Sequence, residues 1–273
     1  MIKVEDLPFY TSMYFAQGKS VPFKLQNGNV EIQICPIKVK DGYQYELSKT
    51  VLEFEKNSVN DIKVIQETYL EYLLTTLYPQ YNEIGIFLQN LLNLTIGKEY
   101  KPIAITNQKE PCLVNGKPVI GICDTNNTLV GYMTQKEFDD YKFIVLNQND
   151  ADYDNRYIAP DIKQVVELYY QSSAKKTKNP TIEEKLAYVT SKTGIKLSDL
   201  LEYTYRYFNE VCESCLKVDE YIGQKIIQGS FKYDVKQDII HPLYEPKRDY
   251  VAEAFSGSVE DFAQSRGLSV QST

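Results

Sequence analysis

One stretch constrains the fold more than any other: Ser198 to about Gly223, or on to Gly229. Leu201, Tyr205, Phe208, Cys212, Cys215, Ile222 and Ile226 recur at steps of three, four or seven, which places them on one face of an α-helix. Glu202, Arg206, Asn209, Glu213 and Lys217 fall mainly on the other side. Ser198 is suited to cap the helix, with Asp199 behind it to meet the positive end of the helix dipole. Such a helix would be roughly 40 Å long at about 1.5 Å per residue. Each large apolar side chain that it buries contributes about 1.5–3 kcal/mol. It is therefore expected to be the spine of the C-terminal half. No catalytic pattern lies on it.

A chain of 273 residues can bury a sizeable core in one large domain or two small ones. No apolar run approaches the ~20 residues of a membrane-spanning helix; Ile84 to Ile96 is too short and is broken by Asn and Gln. Met1-Ile-Lys-Val-Glu-Asp has neither a basic start nor an apolar core, so no signal peptide and a cytoplasmic first residence are expected. The net charge of −7 opposes a nucleic-acid partner, because phosphate binding needs a basic surface. The one basic cluster, Lys175, Lys176 and Lys178, reads as a solvated linker. Five cysteines without an export signal read as reduced and structural. Twenty-three tyrosines and no tryptophan suit a protein–protein surface, or equally reflect codon bias.

The expected fold class is α+β: predominantly helical, with an N-terminal β-hairpin and a small antiparallel β insertion near 101–133. Three segments are expected: 1–97 (an arm, a hairpin and helices), 98–133 (the β insertion) and 134–273 (a helical domain with an irregular tail). In the hairpin, Phe23 and Leu25 alternate before Asn27-Gly28, and Val30, Ile32 and Ile34 alternate after it. Cys35-Pro36 ends its second strand. Helices are expected from Gly42 to Lys56, from about Ser58 or Asn60 to Leu77, and from Ile84 to Leu94. Thr134 with Glu137, and Thr181 with Glu184, are capping boxes opening two more. A further helix is expected over 159–174, and Gly194 is a natural C′ residue.

Candidate chemistry is sparse. Asp150, Asp152, Asp154 and Asp161 are spaced like the acidic positions of a calcium loop, between two expected helices. Asn155 stands where the loop needs glycine, Asp161 where it needs a bidentate Glu, and Ile158 offers no ligand, so a solvated acidic loop is the favoured reading. Cys212-Glu-Ser-Cys215 has Cys-x-x-Cys spacing but lies mid-helix with no second pair, which favours core cysteines. His241 is the single histidine; without it no Cys–His or Ser–His–Asp set can be built, and it precedes a proline in an irregular segment. No glycine-rich phosphate loop or nucleophile elbow occurs. The expectation is a non-enzyme with no catalytic residues, no cofactor and no resident metal.

Two stretches carry a resemblance. Val30-Glu-Ile-Gln-Ile-Cys-Pro-Ile-Lys, feeding a helix, resembles the opening of tail assembly chaperones and of T4-type baseplate hub assembly proteins of tailed phages. Leu146-Asn-Gln-Asn149 with its acidic loop, Leu200-Leu-Glu-Tyr-Thr-Tyr with Phe208, and His241-Pro are similar to tail and baseplate proteins of phages from low-GC hosts. The resemblance covers about half the chain, and the β insertion is not part of it. It implies a structural or assembly role in a phage tail or contractile apparatus, most readily the baseplate. The implied partners are other tail or baseplate proteins and the tape-measure protein, with no nucleic acid and no membrane. Residence would be the host cytoplasm during assembly and the virion when mature. The alternatives are a cytoplasmic chaperone of the tape-measure protein and a small metal-binding or regulatory domain. Exposed aromatics of the N-terminal arm and the β unit are the expected contact residues.

Overall fold

The computed structural model describes residues 14–28, 30–54, 62–150 and 180–229, together with residues 56, 153, 162, 165, 166, 168, 169 and 240–242. The fold is α+β. By internal contacts the chain forms two compact units: Met1–Asn155 with Lys185–Cys212, and Arg156–Glu184 with Glu213–Thr273.

The first unit opens with the expected hairpin. Strands β1 (Val21–Lys24) and β2 (Glu31–Ile34) pair antiparallel, Val21 opposite Ile34 and Phe23 opposite Ile32. Period-2 alternation buries Val21, Ile32 and Ile34 on one face. The connection is longer than a two-residue turn: Leu25 N–H donates to Val30 O at 2.8 Å, and Gly28 adopts φ +90°. Pro36 follows β2, and a 3₁₀ turn (Val39–Asp41) leads into α1 (Gly42–Glu53).

The helix expected to run unbroken to Leu77 is interrupted. Helix α2 (Ile62–Gln66) stops, and α3 (Tyr69–Glu71) restarts behind Thr68 and continues as a π-helical segment, Tyr72–Leu77. Thr68 and Glu71 form a reciprocal capping box, with Thr68 N–H donating to Glu71 Oε2 at 2.7 Å. It is the same Thr-x-x-Glu signature that the sequence shows at 134 and 181. In the π segment Tyr78 N–H reaches Leu73 O at 2.9 Å, and the wider turn brings both Leu73 and Leu74 to full burial.

Helix α4 (Glu83–Thr95) follows and packs chiefly on α1. The β region holds two small sheets. Strands β3 (Lys101–Ile103), β6 (Ile120–Cys123) and β7 (Leu129–Met133) form an antiparallel sheet with β6 central, while β4 (Leu113–Val114) and β5 (Lys117–Pro118) form a separate pair. Every residue of β6 is buried, which explains its unbroken apolar run. The sheet adjoins the hairpin connection: Asn27 bridges Tyr132.

Helix α5 (Gln135–Asn149) starts at the predicted Thr134–Glu137 box. Glu137 is 4% exposed; its Oε2 accepts from Thr134 N–H at 2.7 Å and its Oε1 from Gln26 N–H at 2.7 Å. One carboxylate therefore caps α5 and holds the hairpin connection. At the other end, Asn149 Oδ1 accepts from Ile37 N–H at 2.8 Å while its Nδ2 donates to Val145 O at 2.8 Å; Gln148 Nε2 donates to Lys19 O at 3.0 Å. Buried amides of this kind are costly to orphan. Asn149→Leu, which strands the Ile37 N–H, is expected to destabilise by about 1–3 kcal/mol in urea unfolding. An unchanged midpoint would contradict this role.

The spine helix departs from expectation at its start. Helix α6 (Ile182–Thr193) ends as predicted, with Gly194 at φ +71°. A short α7 (Leu197–Leu200) then stops, and the long helix α8 runs from Tyr205 to Gly229. Ser198 is not the cap: it lies inside α7, whose N-cap is Lys196. The backbone of 201–205 is withdrawn from helix to bond the segment after β2. Val39 N–H donates to Tyr203 O at 3.0 Å, Lys40 N–H to Leu201 O at 3.2 Å, and Tyr205 N–H to Ile37 O at 2.7 Å. Glu202 bonds Lys38 and, at 2.8 Å, Lys40. Those hydrogen bonds, Lys38 first, hold its carboxyl down to about 2. Because these ion pairs lie at the surface, salt screens them and they add little; the backbone pairing is what breaks the helix.

Candidate docking surface

Helix α8 carries one apolar stripe with two fates. In the first unit, Tyr205, Phe208 and Cys212 are buried; Phe208 and Cys212 pack with Val39, Val189 and Leu200. Past Cys212, in the second unit, the stripe opens to solvent. Leu216 is 51% exposed, Val218 43%, Ile222 48%, Ile226 67% and Ile227 47%. At 100° per residue, Cys215, Ile222 and Ile226 lie along its middle, with Leu216 and Ile227 on one flank and Val218 on the other, and Asp219 places one carboxylate within the same face. The opposite side holds Glu213, Lys217, Glu220 and Gln224, with Glu213 and Lys217 paired at 2.7 Å and Gln224 bonded to Glu220 at 3.3 Å. Leaving a large aliphatic side chain in water forgoes about 1.5–3 kcal/mol. Several of them gathered on one side of a helix mark an interaction surface. Gly223 sits within this face with open space around it, so nothing at that position keeps a neighbouring backbone away. Leu216, Val218 and Ile227 were not in the sequence-derived stripe, although they fall on its flanks at helical spacing.

The other sequence candidates are dispersed. Cys212 is buried and Cys215 partly so, both on α8 and neither in a disulfide. His241 stacks edge-on against Tyr221, ring centroids 5.0 Å apart. Asp150 forms the C-cap of α5, its N–H donating to Leu146 O at 2.9 Å. Asp152, Asp154 and Asp161 lie outside the described residues, as does the Lys175–Lys178 cluster. Among the described residues no three His, Cys, Asp or Glu are grouped to hold a metal ion. Of the arm aromatics, Phe9 and Tyr10 lie outside the described residues, and Phe15 is buried. The exposed large apolar residues of the β region are Leu113 and Leu129, not aromatics.

One cluster had no sequence signal. Lys142 Nζ stands 3.5 Å over the Tyr69 ring, which stacks on Phe138 at 6.5 Å. Burial lowers the Lys142 pKa to about 8, outweighing the opposing pull of Asp139 and Glu53. Burial likewise raises Tyr69, whose hydroxyl donates to Val51 O at 2.8 Å. Between pH 8 and the unfolded lysine value of about 10.4, the unfolded chain holds a proton that the native state has released. Stability that depends on Lys142 must therefore rise with pH across that window. The difference in urea midpoint between wild type and Lys142→Met is expected to shift in favour of wild type from pH 8 to pH 10. A pH-independent difference would show that Lys142 is not desolvated.

Among the described residues, no helix is long and apolar enough to cross a membrane. Comparison with protein-family models, with curated proteins and with solved structures finds no match.

Proposed function

We propose that this chain is a non-enzymatic docking subunit, a structural or assembly component of a phage tail or related contractile apparatus, with the baseplate as its first candidate position. The observation that carries the docking part is the open stripe of α8: aliphatic side chains at core spacing, exposed beyond Cys212. The phage part is supported by the resemblance of the Val30–Lys38 segment and of the Leu146–Asn149 and Leu200–Phe208 stretches to tail and baseplate proteins. The mechanism is geometric. The buried part of α8 is anchored by Phe208, and the exposed part presents an aliphatic face that includes Asp219, with Glu213, Lys217 and Glu220 behind it, so that a partner helix or sheet gains area by covering it. Proteins that it touches would be other tail components.

Mass spectrometry of purified particles tests the reading. Peptides of this chain in amounts comparable to known tail subunits are expected. Absence from particles, with recovery in complex with the tape-measure protein, would replace the structural role with the chaperone role. Absence from both would overturn the proposal.

A further inference from the structure

The solvent side of α4 carries a second surface, a notch of about 360 Å³ lined by Tyr78, Asn82, Ile86, Asn90, Ile105 and Lys109, with Gly85 among them. A Cβ on Gly85 would lie 2.5 Å from Tyr78 Cε2 and 3.2 Å from Ile105 Cγ1. The missing side chain is what lets the Tyr78 ring lie against the helix as a wall. The Tyr78 hydroxyl donates to Lys109 O at 3.1 Å, and Lys109 is held at φ +63° with its N–H on Thr106 O at 2.9 Å. The apolar opening between these walls shows Ile86, 60% exposed.

The polar groups are graded in availability. Gln89 is engaged: its Nε2 donates to Pro102 O at 2.7 Å and its Oε1 accepts from Ala104 N–H at 3.0 Å. Asn82 is the N-cap of α4, yet its side chain makes no capping bond. Asn82 and Asn90 are both exposed. They stand at i and i+8 with Ile86 midway, about 12 Å apart along the axis at about 1.5 Å per residue. An extended chain covers that span in three to four residues at about 3.4 Å each. A carboxamide offers one acceptor and donors, the complement of a peptide N–H and C=O. Among the described residues that line the notch, Lys109 is the one cation and none is acidic.

We infer that this notch takes an extended segment of a partner protein. Its backbone bridges Asn82 and Asn90, one aliphatic side chain enters between Tyr78, Ile86 and Ile105, and an acidic residue lies beside Lys109. This rests on the docking reading of function but uses a face other than that of α8. The probe is the capped peptide Gly-Ser-Ser-Leu-Ser-Glu-Ser-Gly, titrated into the ¹⁵N-labelled full chain and followed by NMR. Saturable shifts are expected at Asn82, Ile86 and Asn90, including their side-chain amides. Asn90→Ala is expected to weaken binding at least threefold. Replacing the peptide's Glu by Lys, or its Leu by Ala, should weaken it by at least as much. Asn90 is exposed, so its variant is expected to keep the parent melting temperature. No shifts at millimolar peptide, or equal shifts with the Leu-to-Ala peptide, would overturn the inference while leaving the α8 surface untouched.

Discussion

Phe208→Ala is expected to destabilise the first unit by about 3–5 kcal/mol, the range for removing a fully buried aromatic ring. The ring is 0% exposed and packs with Val39 of the 3₁₀ turn, Val189 of α6, Leu200 of α7 and Cys212 of α8. Four elements meet there, three successive helices and the sequence-distant 3₁₀ turn, so the cavity cannot close by moving one of them. Urea unfolding followed by circular dichroism measures the cost; a loss below about 1 kcal/mol would mean the site collapses freely and is not the anchor of α8.

Gly28→Ala is the second large effect. Gly28 has φ +90°, and a Cβ there would lie 2.2 Å from the Val130 carbonyl oxygen and 2.9 Å from Gly131 Cα. Both obstacles are backbone and cannot rotate away. The approach is mutual, since a Cβ on Gly131 would lie 2.8 Å from Asn27 O. The left-handed conformation alone costs an L-residue about 1–2 kcal/mol, and parting the hairpin connection from β7 adds to it. A total of at least about 3 kcal/mol is expected, at the upper end of single-substitution effects. A melting temperature within a degree or two of wild type would contradict the close packing of Gly28 on β7.

The sequence is most legible where local chemistry and tertiary packing agree. The alternation of Phe23 and Leu25 and of Val30, Ile32 and Ile34 is the observed hairpin. The boxes at Thr134 and Thr181 are real, with Thr181 N–H on Glu184 Oε2 at 2.7 Å. Two failures have distinct causes. At Thr68 the signal was present, but apolar spacing across it read as one helix. At 201–204 no local signal could have served, because the competitor is the backbone of residues 37–40, more than 160 positions away, which takes three hydrogen bonds from the would-be helix. Spacing on α8 correctly identified the face and could not say which half is covered. That depends on which residues the 3₁₀ turn, α6 and α7 bring beside Phe208, and the periodicity is the same on both halves. Lys142 answers to no motif, since its place over Tyr69 arises from the packing of α3 on α5; Asn82, the N-cap of α4, and Asn90 stand at i and i+8 and match no motif either.

The central claim is that the open half of α8 holds the chain in an assembly. Under the proposed phage-tail role, the most direct test is complementation in a phage whose copy of this gene has been deleted, comparing wild type with the double variant Ile222→Asp and Ile226→Asp. Both positions are exposed, so circular dichroism and the melting temperature should be unchanged. Wild type is expected to restore infective particles, and the double variant to yield at least tenfold fewer. A double variant that restores particles as well as wild type would contradict the claim.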